Sequence, residues 1–306
     1  MIWRDARVIV TGGAGFIGSH LVDRLIDEGA RVTVIDDLSY GRESNVNPSA
    51  EFVLSSIKDT GELQGLVGGS DYIFHLAAAA TTRESQMGWN DPLYDLEVNT
   101  ATTVRLLEAW REAADDARFV FASSAAVYGT IQRTPIDERH PTQPVSPYGV
   151  AKLASENYCT AYREVLGLPA TSVRIFNTYG PRQPRYVMYD FIQKLQSTPD
   201  RLEIIGDGSQ VRDYLYVSDT VEAFVRAAQA PPATYNAASG SATTIAQVAS
   251  MIVDRVSPGA EVVSTSPTWI GDIPVLTGDA SLLAHQGFEP QVQLSDGIDR
   301  LVEYYE

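Results

Sequence analysis

The chain has 306 residues, of which 44% are hydrophobic and 20% charged, as in an ordinary globular protein with one large domain or two closely joined ones. Its formal net charge of −16 argues against a nucleic acid or an anionic membrane surface as partner. No apolar run approaches the ~18 residues of a membrane helix, and a strand-like run beginning at Arg7 leaves no room for an export leader. We therefore expect a cytoplasmic protein.

The metal-binding and redox-active residue types are sparse. A single cysteine, Cys159, excludes an internal disulfide and a cysteine-based zinc site, and its helical context favours a buried apolar role. The four histidines show no metal-ligand spacing, so no metal site is predicted. Lysine occurs only at positions 58, 152 and 194, which makes each lysine a candidate for a specific role.

The first motif is a glycine-rich turn between a predicted strand at 7–11 and a predicted helix. Gly12, Gly15 and Gly18 recur every three residues, a spacing that permits a tight turn, close approach of a pyrophosphate and close packing of helix on strand. A plain strand-to-helix turn would share this pattern. However, Asp36 and Asp37 follow a second strand at about the expected 20 residues. A carboxylate there accepts ribose hydroxyls and repels a 2′-phosphate, so we predict NAD rather than NADP.

Strands and helices alternate through the first half of the chain, which predicts a doubly wound α/β fold with a parallel sheet. Further strands are expected at 51–54, 72–76, 118–123 and 171–176, with helices at about 59–66, 91–114 and 148–166. His75, in the fourth strand, is predicted to be packed rather than catalytic. After Pro181 the alternation loosens. We predict an NAD-binding Rossmann-type domain over 1–177 and a smaller, partly interleaved substrate lobe over 178–306.

Tyr148 and Lys152 are the best candidates for catalysis, because a spacing of four places them on one face of a helix. The pKa of tyrosine is near 10, but a neighbouring ammonium and an oxidised nicotinamide ring both favour phenolate. The pair could then take the proton of a substrate hydroxyl while hydride leaves the same carbon. Ser124, at the end of the fifth strand, could hydrogen-bond that hydroxyl. A plain surface pair is the alternative, and the proline-rich loop and glycine motif that precede it favour catalysis.

Five motifs in order identify a family resemblance: Thr-Gly-Gly-Ala-Gly-Phe-Ile-Gly (11–18), His-Leu-Ala-Ala (75–78), Ser-Ser-Ala-Ala-Val-Tyr-Gly (123–129), Tyr-Gly-Val-Ala-Lys (148–152) and Arg-Ile-Phe-Asn-Thr-Tyr-Gly-Pro (174–181). They resemble the extended short-chain dehydrogenase/reductases that act on nucleotide sugars. The resemblance covers nearly the whole chain. It implies a nucleotide-sugar substrate and a homodimer formed through the helices at 92–114 and 147–166.

The resemblance also implies roles for particular residues. It implies a catalytic trio of Ser124, Tyr148 and Lys152. The predicted cofactor-binding residues are Gly12, Gly15, Phe16, Ile17, Gly18, Asp36, Asp37, Leu38, Ser39, Gly41, Ile57, Leu76, Ala77, Ala78, Asn99, Tyr148 and Lys152. The predicted substrate-binding residues are Ser124, Tyr148, Asn177, Arg185, Arg212 and Asp272. Two have plainer alternatives: Asn99 could be merely solvated in its helix, and Arg212 could form an ion pair with Asp207 or Asp213.

The branches of this family differ in the residues that follow the strand-end serine. The 4,6-dehydratases and the decarboxylases carry an acidic residue directly after it or two positions on, whereas this chain has Ala125 and Ala126. A methyl group cannot move a proton, so the 4-epimerases, which need no such group, are the favoured branch. Dehydration, decarboxylation and a non-catalytic NAD-binding sensor or scaffold remain alternatives.

The chain departs from the epimerase pattern in its second half. Trp269 stands where the epimerases usually carry an arginine that touches the diphosphate, three residues before Asp272. Arg185 is a hypothetical replacement for that arginine. Leu276 is smaller than the tyrosine often found at its position, which favours room for an N-acetylated sugar.

Overall fold

The structure is a computed structural model that describes residues 2–58, 63–79, 89–113, 116–266 and 273–306. The helices are α1 (Phe16–Asp27), α2 (Leu63–Val67), α3 (Pro92–Asp95), α4 (Thr102–Ala113), α5 (Pro147–Leu166), α6 (Val187–Ser197), α7 (Val217–Gln229), α8 (Ile245–Val256), α9 (Ser281–Ala284) and α10 (Leu294–Tyr305). The strands are β1 (Arg7–Thr11), β2 (Arg31–Asp36), β3 (Glu51–Leu54), β4 (Tyr72–His75), β5 (Arg118–Ser124), β6 (Ala170–Ile175), β7 (Asn177–Tyr179), β8 (Arg201–Ile205), β9 (Val211–Arg212), β10 (Tyr214–Tyr216), β11 (Thr234–Ala237), β12 (Thr243–Thr244), β13 (Glu261–Ser266) and β14 (Val275–Leu276).

The central sheet has seven strands in the order β11-β6-β5-β4-β1-β2-β3, and every neighbouring pair in it is parallel. The order reverses between β1 and β4, and ligands of such sheets bind beyond the carboxyl ends of the strands at this switch point. The predicted doubly wound fold is confirmed. The glycine turn after β1 and the ends of β4 and β5 therefore meet at one edge of the sheet.

Apolar side chains cover both faces of the sheet, which explains why its strands read as continuous hydrophobic runs. On one face α1 and α7 pack through Leu21, Leu25 and Phe224. On the other face Trp110 of α4 and Cys159 of α5 belong to one buried cluster, and Cys159 is fully buried, as predicted. The sheet is thus a rigid platform for the loops at its carboxyl edge.

The second half of the chain contributes to both lobes. Helices α6, α8 and α10 pack around a separate cluster that includes Ile192, Ile252 and Leu301. Strand β11, however, pairs with β6 in the central sheet, and helix α7 packs against that sheet. These two elements of the second half therefore interleave with the first lobe. The domain boundary at residue 177 stays a prediction.

Some local features were not predicted from the sequence. The helix expected over 91–114 contains a π-helical turn at Leu96–Ala101 between α3 and α4, and such turns occur often at functional sites. Strand β11 was not among the predicted strands. The described residues do not include 59–62, where the helix predicted at 59–66 would begin, nor Trp269 and Asp272.

Among the residues that are described, no helix is both long and apolar enough to cross a membrane.

Candidate active site

The glycine turn brings three backbone segments into direct contact. Gly12 has a φ of 73°, and a Cβ there would lie 2.6 Å from the backbone nitrogen of Ala77. A Cβ on Gly18 would lie 2.1 Å from the carbonyl oxygen of Gly12. Gly15 directly precedes α1, so the unpaired N–H groups and the positive end of that helix are available to an anion. This cradle fits the pyrophosphate of a dinucleotide.

Asp36 ties the glycine turn to the loop that follows β2. Its carboxylate accepts hydrogen bonds from the backbone nitrogens of Ala14 at 3.0 Å and Leu38 at 2.8 Å. Burial raises the pKa of Asp36, and these two hydrogen bonds oppose that rise. In Asp37 burial also acts to raise the pKa, but hydrogen bonds from Ser39 and Ser56 and the charge of Lys58 outweigh it, so the pKa falls.

Most of the predicted cofactor-binding residues line one cavity at the carboxyl edge of the sheet. The members of this group are Gly12, Gly15, Phe16, Ile17, Gly18, Asp36, Asp37, Ser39, Gly41, Ile57, Leu76, Ala77, Ala78, Tyr148 and Lys152. Leu38 and Asn99 are not part of the lining. Leu38 has a φ of 59° and bends the loop after β2, so that its neighbours face the cavity.

Asn99 supports the cavity wall from behind, within the π-helical turn. It is 1% exposed, so the alternative of a solvated amide is wrong. Its Oδ1 accepts from the backbone nitrogen of Ala79 at 3.0 Å, and its Nδ2 donates to the Asp95 carboxylate at 2.7 Å. The side chain therefore fixes the chain segment that follows β4, where the small residues Ala77 and Ala78 leave room for a cofactor.

His75 is packed inside the sheet, as predicted. Its ring nitrogens lie 2.7 Å from the Thr11 hydroxyl and 3.0 Å from the Thr103 hydroxyl. Burial, together with the nearby Lys152 charge, lowers the pKa of His75 to about 3. A neutral imidazole held between two threonines orients its neighbours rather than transferring protons.

Tyr148 sits in the first turn of α5, whose start is defined by Ser146 and Pro147. The Ser146 hydroxyl accepts from the backbone nitrogen of Gly149 at 3.1 Å, and the proline occupies the first helical position, where no N–H is needed. Burial raises the pKa of Tyr148 well above 10, as does the neighbouring Tyr186, while a hydrogen bond with Ser124 lowers it. In the protein without its cofactor, this phenol is neutral at physiological pH.

Lys152 is 2% exposed and lies one turn further along α5. Its amino group donates to the carbonyl oxygen of Ala122 at 2.9 Å and lies 5.8 Å from the centre of the Tyr148 ring. Burial lowers the pKa of Lys152 to about 8, and the Asp95 carboxylate opposes this fall. The lysine is therefore still mostly charged at neutral pH, beside the Tyr148 phenol.

The structure separates the predicted substrate-binding residues into two groups. Ser124 pairs with Tyr148, and Arg185 lines the cavity with its guanidinium 5.4 Å from the centre of the Tyr40 ring. Asn177 and Arg212 instead lie on short strands outside the central sheet. Asn177 Nδ2 donates to the backbone oxygen of Asp213 at 3.0 Å, and Asp272 is not among the described residues.

The alternative role of Arg212 is an ion pair with Asp207 or Asp213. The Asp213 carboxylate accepts from the backbone nitrogens of Ser239, Gly240 and Gly278, so it is already well satisfied. Arg212 Nη1 donates to the carbonyl oxygens of Val211 and Ile273 at 2.9 and 2.7 Å.

Two buried polar atoms lie close to Arg212 along the chain and have no hydrogen-bond partner among the described residues. They are the Tyr214 hydroxyl and Gln210 Oε1. Buried polar atoms are nearly always paired in folded proteins, so unpaired ones indicate a place that a polar ligand completes. Neither residue was predicted from a sequence pattern.

Several residues that line the cavity were missed at the level of sequence. They include Tyr40, Lys58, Tyr94 and Tyr186. Tyr40 lies between Ser39 and Gly41, both of which were predicted, and Lys58 is one of three lysines and follows Ile57. Those two could have been found from their neighbours. Tyr186, which follows the predicted Arg185, could have been found in the same way, whereas Tyr94 could not, because only the tertiary fold brings it to the cavity.

Comparison of the sequence with known proteins identifies the family. Residues 8–238 match the model of the NAD dependent epimerase/dehydratase family. The chain is 37% identical to the UDP-glucose 4-epimerase of Mycolicibacterium smegmatis over 315 residues, which cover 98% of each chain.

Solved structures also resemble the whole molecule. The UDP-glucose 4-epimerase of Thermotoga maritima with UDP-glucose superposes with a TM-score of 0.92 at 34% identity, covering 98% of each chain. The dTDP-glucose 4,6-dehydratase of Streptomyces venezuelae with NAD superposes with a TM-score of 0.89 at 30% identity, covering 98% of this chain and 96% of the other. Members of one fold thus carry out both reactions. The chain belongs to the NAD-dependent epimerase/dehydratase family of extended short-chain dehydrogenases/reductases, and it is an enzyme whose cofactor is NAD.

Proposed function

We propose that this enzyme inverts the C4 hydroxyl of a UDP-sugar, either UDP-glucose and UDP-galactose or their N-acetyl forms, through a transient 4-keto sugar. The observation that carries this proposal is that Tyr148 lies near both Ser124 and Lys152, next to a turn whose first two residues are alanines. Oxidation at C4 has its residues in place, whereas elimination lacks the acid or base it needs at this turn.

The chain's own residues supply the proton chemistry. Tyr148 accepts the proton of the C4 hydroxyl, and Ser124 orients that hydroxyl by hydrogen bonding. The Lys152 ammonium stabilises the phenolate that Tyr148 must form, because an adjacent positive charge lowers the pKa of a phenol. Bound NAD would accept the hydride from C4. After the 4-keto sugar has rotated in the site, the reduced cofactor would return the hydride to the opposite face of the sugar. No group other than the tyrosine then has to gain or lose a proton.

The turn Ala125–Val127 argues against dehydration as the main reaction. Ala125 is 3% exposed, and the backbone nitrogen of Ala126 donates to the Ser124 hydroxyl at 3.2 Å. An acid at either position would have to extend from this turn, and both side chains end at a methyl group. Dehydration to a 4-keto-6-deoxy sugar, or decarboxylation of a UDP-glucuronate, is the second candidate because solved dehydratases share the fold.

The experiment is product analysis with cofactor-loaded enzyme and no added NAD. Purified protein is incubated with UDP-glucose, UDP-galactose, their N-acetyl forms and UDP-glucuronate, and the products are separated and weighed by mass spectrometry. We expect an unchanged mass at a new retention time for one epimer pair. Tyr148→Phe should abolish turnover yet still bind NAD, because it removes only the proton acceptor. An active Tyr148→Phe variant would contradict the mechanism, and a non-catalytic NAD-binding sensor would turn over no sugar.

Assembly as a homodimer in the cytoplasm completes the proposal. Exposed apolar side chains lie on the segments that the family resemblance implies for the interface: Leu93 on α3, and Val150, Tyr158, Val165 and Leu166 on α5. Exposed apolar side chains on one face favour association with a second copy. Val165→Glu should then convert a dimer to a monomer in sedimentation experiments, and an unchanged sedimentation coefficient would argue against this interface.

A further inference from the structure

A chain of aromatic and cationic side chains crosses the cofactor cavity. Its members are Lys58, Tyr94, Tyr40, Arg185 and Tyr186, which we call the clasp, and all five line the cavity. The Lys58 amino group lies 4.7 Å from the centre of the Tyr94 ring. The Arg185 guanidinium lies 5.4 Å from the centre of the Tyr40 ring and 5.7 Å from that of Tyr186.

The two middle residues connect these contacts into one unit. Burial and the neighbouring Tyr94 phenol raise the pKa of Tyr40, so the Lys58 pair and the Arg185 pair adjoin through two phenols. Tyr40 belongs to the loop after β2, Tyr94 to α3, Lys58 to the segment after β3, and Arg185 to the second lobe. Four separate segments around the cavity are thus linked by side chains alone.

The loop that carries Arg185 is fixed at its base. The His20 ring nitrogen lies 3.0 Å from the carbonyl oxygen of Pro181, and Arg182 forms an ion pair of 2.8 Å with Asp23, so both contacts tie the loop to α1. Arg182 and Tyr186 have φ values of 66° and 75°, a region that non-glycine residues rarely adopt. Such backbone persists only where the surroundings hold it, and it concentrates at ligand clamps.

We propose that the clasp retains NAD in the enzyme during turnover, with Tyr40 and Arg185 as its central pair. This inference rests on the proposed function, because the hydride taken from C4 has to return to the same sugar and the cofactor must stay bound between the two transfers. Tyr40 and Tyr186 are 45% and 46% exposed, so the clasp lies at the mouth of the cavity and not in its depth. A mouth held by several weak contacts can open for loading and stay closed for the length of a catalytic cycle.

The test measures cofactor release without any sugar. Protein loaded with NADH is mixed with a large excess of NAD, and the loss of bound NADH fluorescence gives the dissociation rate. Tyr40→Ala and Arg185→Ala are each expected to raise this rate about tenfold. Because the two side chains form one contact, the double variant should release NADH about as fast as the faster single variant. Tyr40→Phe, which keeps the ring beneath Arg185, should give a smaller increase.

Lys194→Ala is the matched control, since Lys194 lies over the Phe191 ring at 6.0 Å in the same lobe but does not line the cavity. It should release NADH at the wild-type rate. The clasp is overturned if Tyr40→Ala releases NADH within about threefold of the wild-type rate, if Lys194→Ala is equally fast, or if the two clasp substitutions are fully additive. Because no sugar is present, failure here leaves the proposed epimerisation standing, and the absence of epimerisation would leave these rates unaffected.

Discussion

The amino group of Lys152 donates a hydrogen bond of 2.9 Å to the carbonyl oxygen of Ala122, in the strand that ends at Ser124. This bond holds a buried ammonium beside the Tyr148 ring, at the point where β5 and α5 meet. Burial places the charge next to the phenol, but it also disfavours the charged form of the lysine in the folded protein. The pKa of Lys152 therefore falls from its ordinary 10.5 to about 8. Catalysis at this site is therefore expected to oppose stability.

Lys152→Met should stabilise the cofactor-free protein at neutral pH while abolishing turnover. The charged lysine costs up to about 3 kcal/mol from its pKa shift, and loss of its hydrogen bond offsets about half of that, so we expect a net gain of about 1–2 kcal/mol. The penalty is fully present below pH 8 and is relieved as the pH rises from about 8 toward 10.5, because the folded protein releases this proton first.

Urea unfolding of both proteins at about pH 7 and about pH 9.5 measures the difference in the free energy of unfolding at each pH. The advantage of the methionine variant should shrink at the higher pH. A variant that is less stable than wild type at neutral pH, or whose advantage grows with pH, would contradict the account of a buried, strained charge.

Gly149→Ala should damage catalysis without removing the cofactor. A Cβ there would lie 2.7 Å from the carbonyl oxygen of Ala126 and 3.0 Å from Pro144, neither of which is a flexible side-chain end. The start of α5 must then shift away from the turn that carries Ser124, and a displacement of about 1 Å at such a site costs roughly 100-fold in rate.

Steady-state kinetics and NADH titration test this expectation. Gly65→Ala in α2 is the matched control, because a Cβ at Gly65 meets nothing within 4 Å and turnover should stay at the wild-type level. Full activity of the Gly149→Ala variant would show that the close approach of α5 to Ala126 is not needed.

Glu156→Gln should cost stability because it leaves a buried guanidinium unpaired. The Glu156 and Arg174 side chains are 4% and 7% exposed, and the carboxylate also accepts from Ser123 at 2.8 Å. Breaking a buried pair of this kind costs about 3–5 kcal/mol. Glu164→Gln is the control on the same helix, since Glu164 is 66% exposed in its pair with Arg163 and should lose less than about 1 kcal/mol. Equal losses in chemical denaturation would speak against the buried network.

Asp36→Asn should weaken the preference for NAD over NADP. The carboxylate accepts from Ala14 and Leu38, and an amide can satisfy only one of these two donors and no longer repels a 2′-phosphate. We expect the ratio of the Kd values for NADPH and NADH to fall about tenfold. Asp37→Asn, also in the cavity lining, should change the ratio less. If Asp37→Asn alone changes it, the discriminating carboxylate is Asp37.

Local patterns were enough to predict the fold and the centre of the site. The glycine spacing, the carboxylates after β2 and the four-residue spacing of Tyr148 and Lys152 are all short-range signals. Strand β11 was missed because Thr-Tyr-Asn-Ala has no apolar run, and it forms a strand through its pairing with β6. The π-helical turn was missed because hydrophobic periodicity does not distinguish it from an ordinary helix.

The contacts that shape the mouth of the cavity depend on distant parts of the chain. Arg185 was predicted to bind substrate as a replacement for the arginine missing at Trp269, whereas its nearest aromatic partner, Tyr40, lies in the loop after β2. Asn99 was predicted to bind the cofactor, but its side chain instead holds the backbone of Ala79, which belongs to another segment of the chain. Side-chain contacts between remote segments cannot be inferred from spacing alone, and these contacts determine how the site is closed.

The most direct measurement of the central claim uses a UDP-sugar that carries deuterium at C4, with cofactor-loaded enzyme and no added NAD. The account predicts an epimer of unchanged mass that keeps the deuterium at C4, because the same hydride leaves and returns. A product that has lost water or carbon dioxide would contradict it, since the turn at Ala125 and Ala126 offers no group for elimination. Loss of the deuterium from an epimerised product would equally contradict it, because the hydride would then have exchanged.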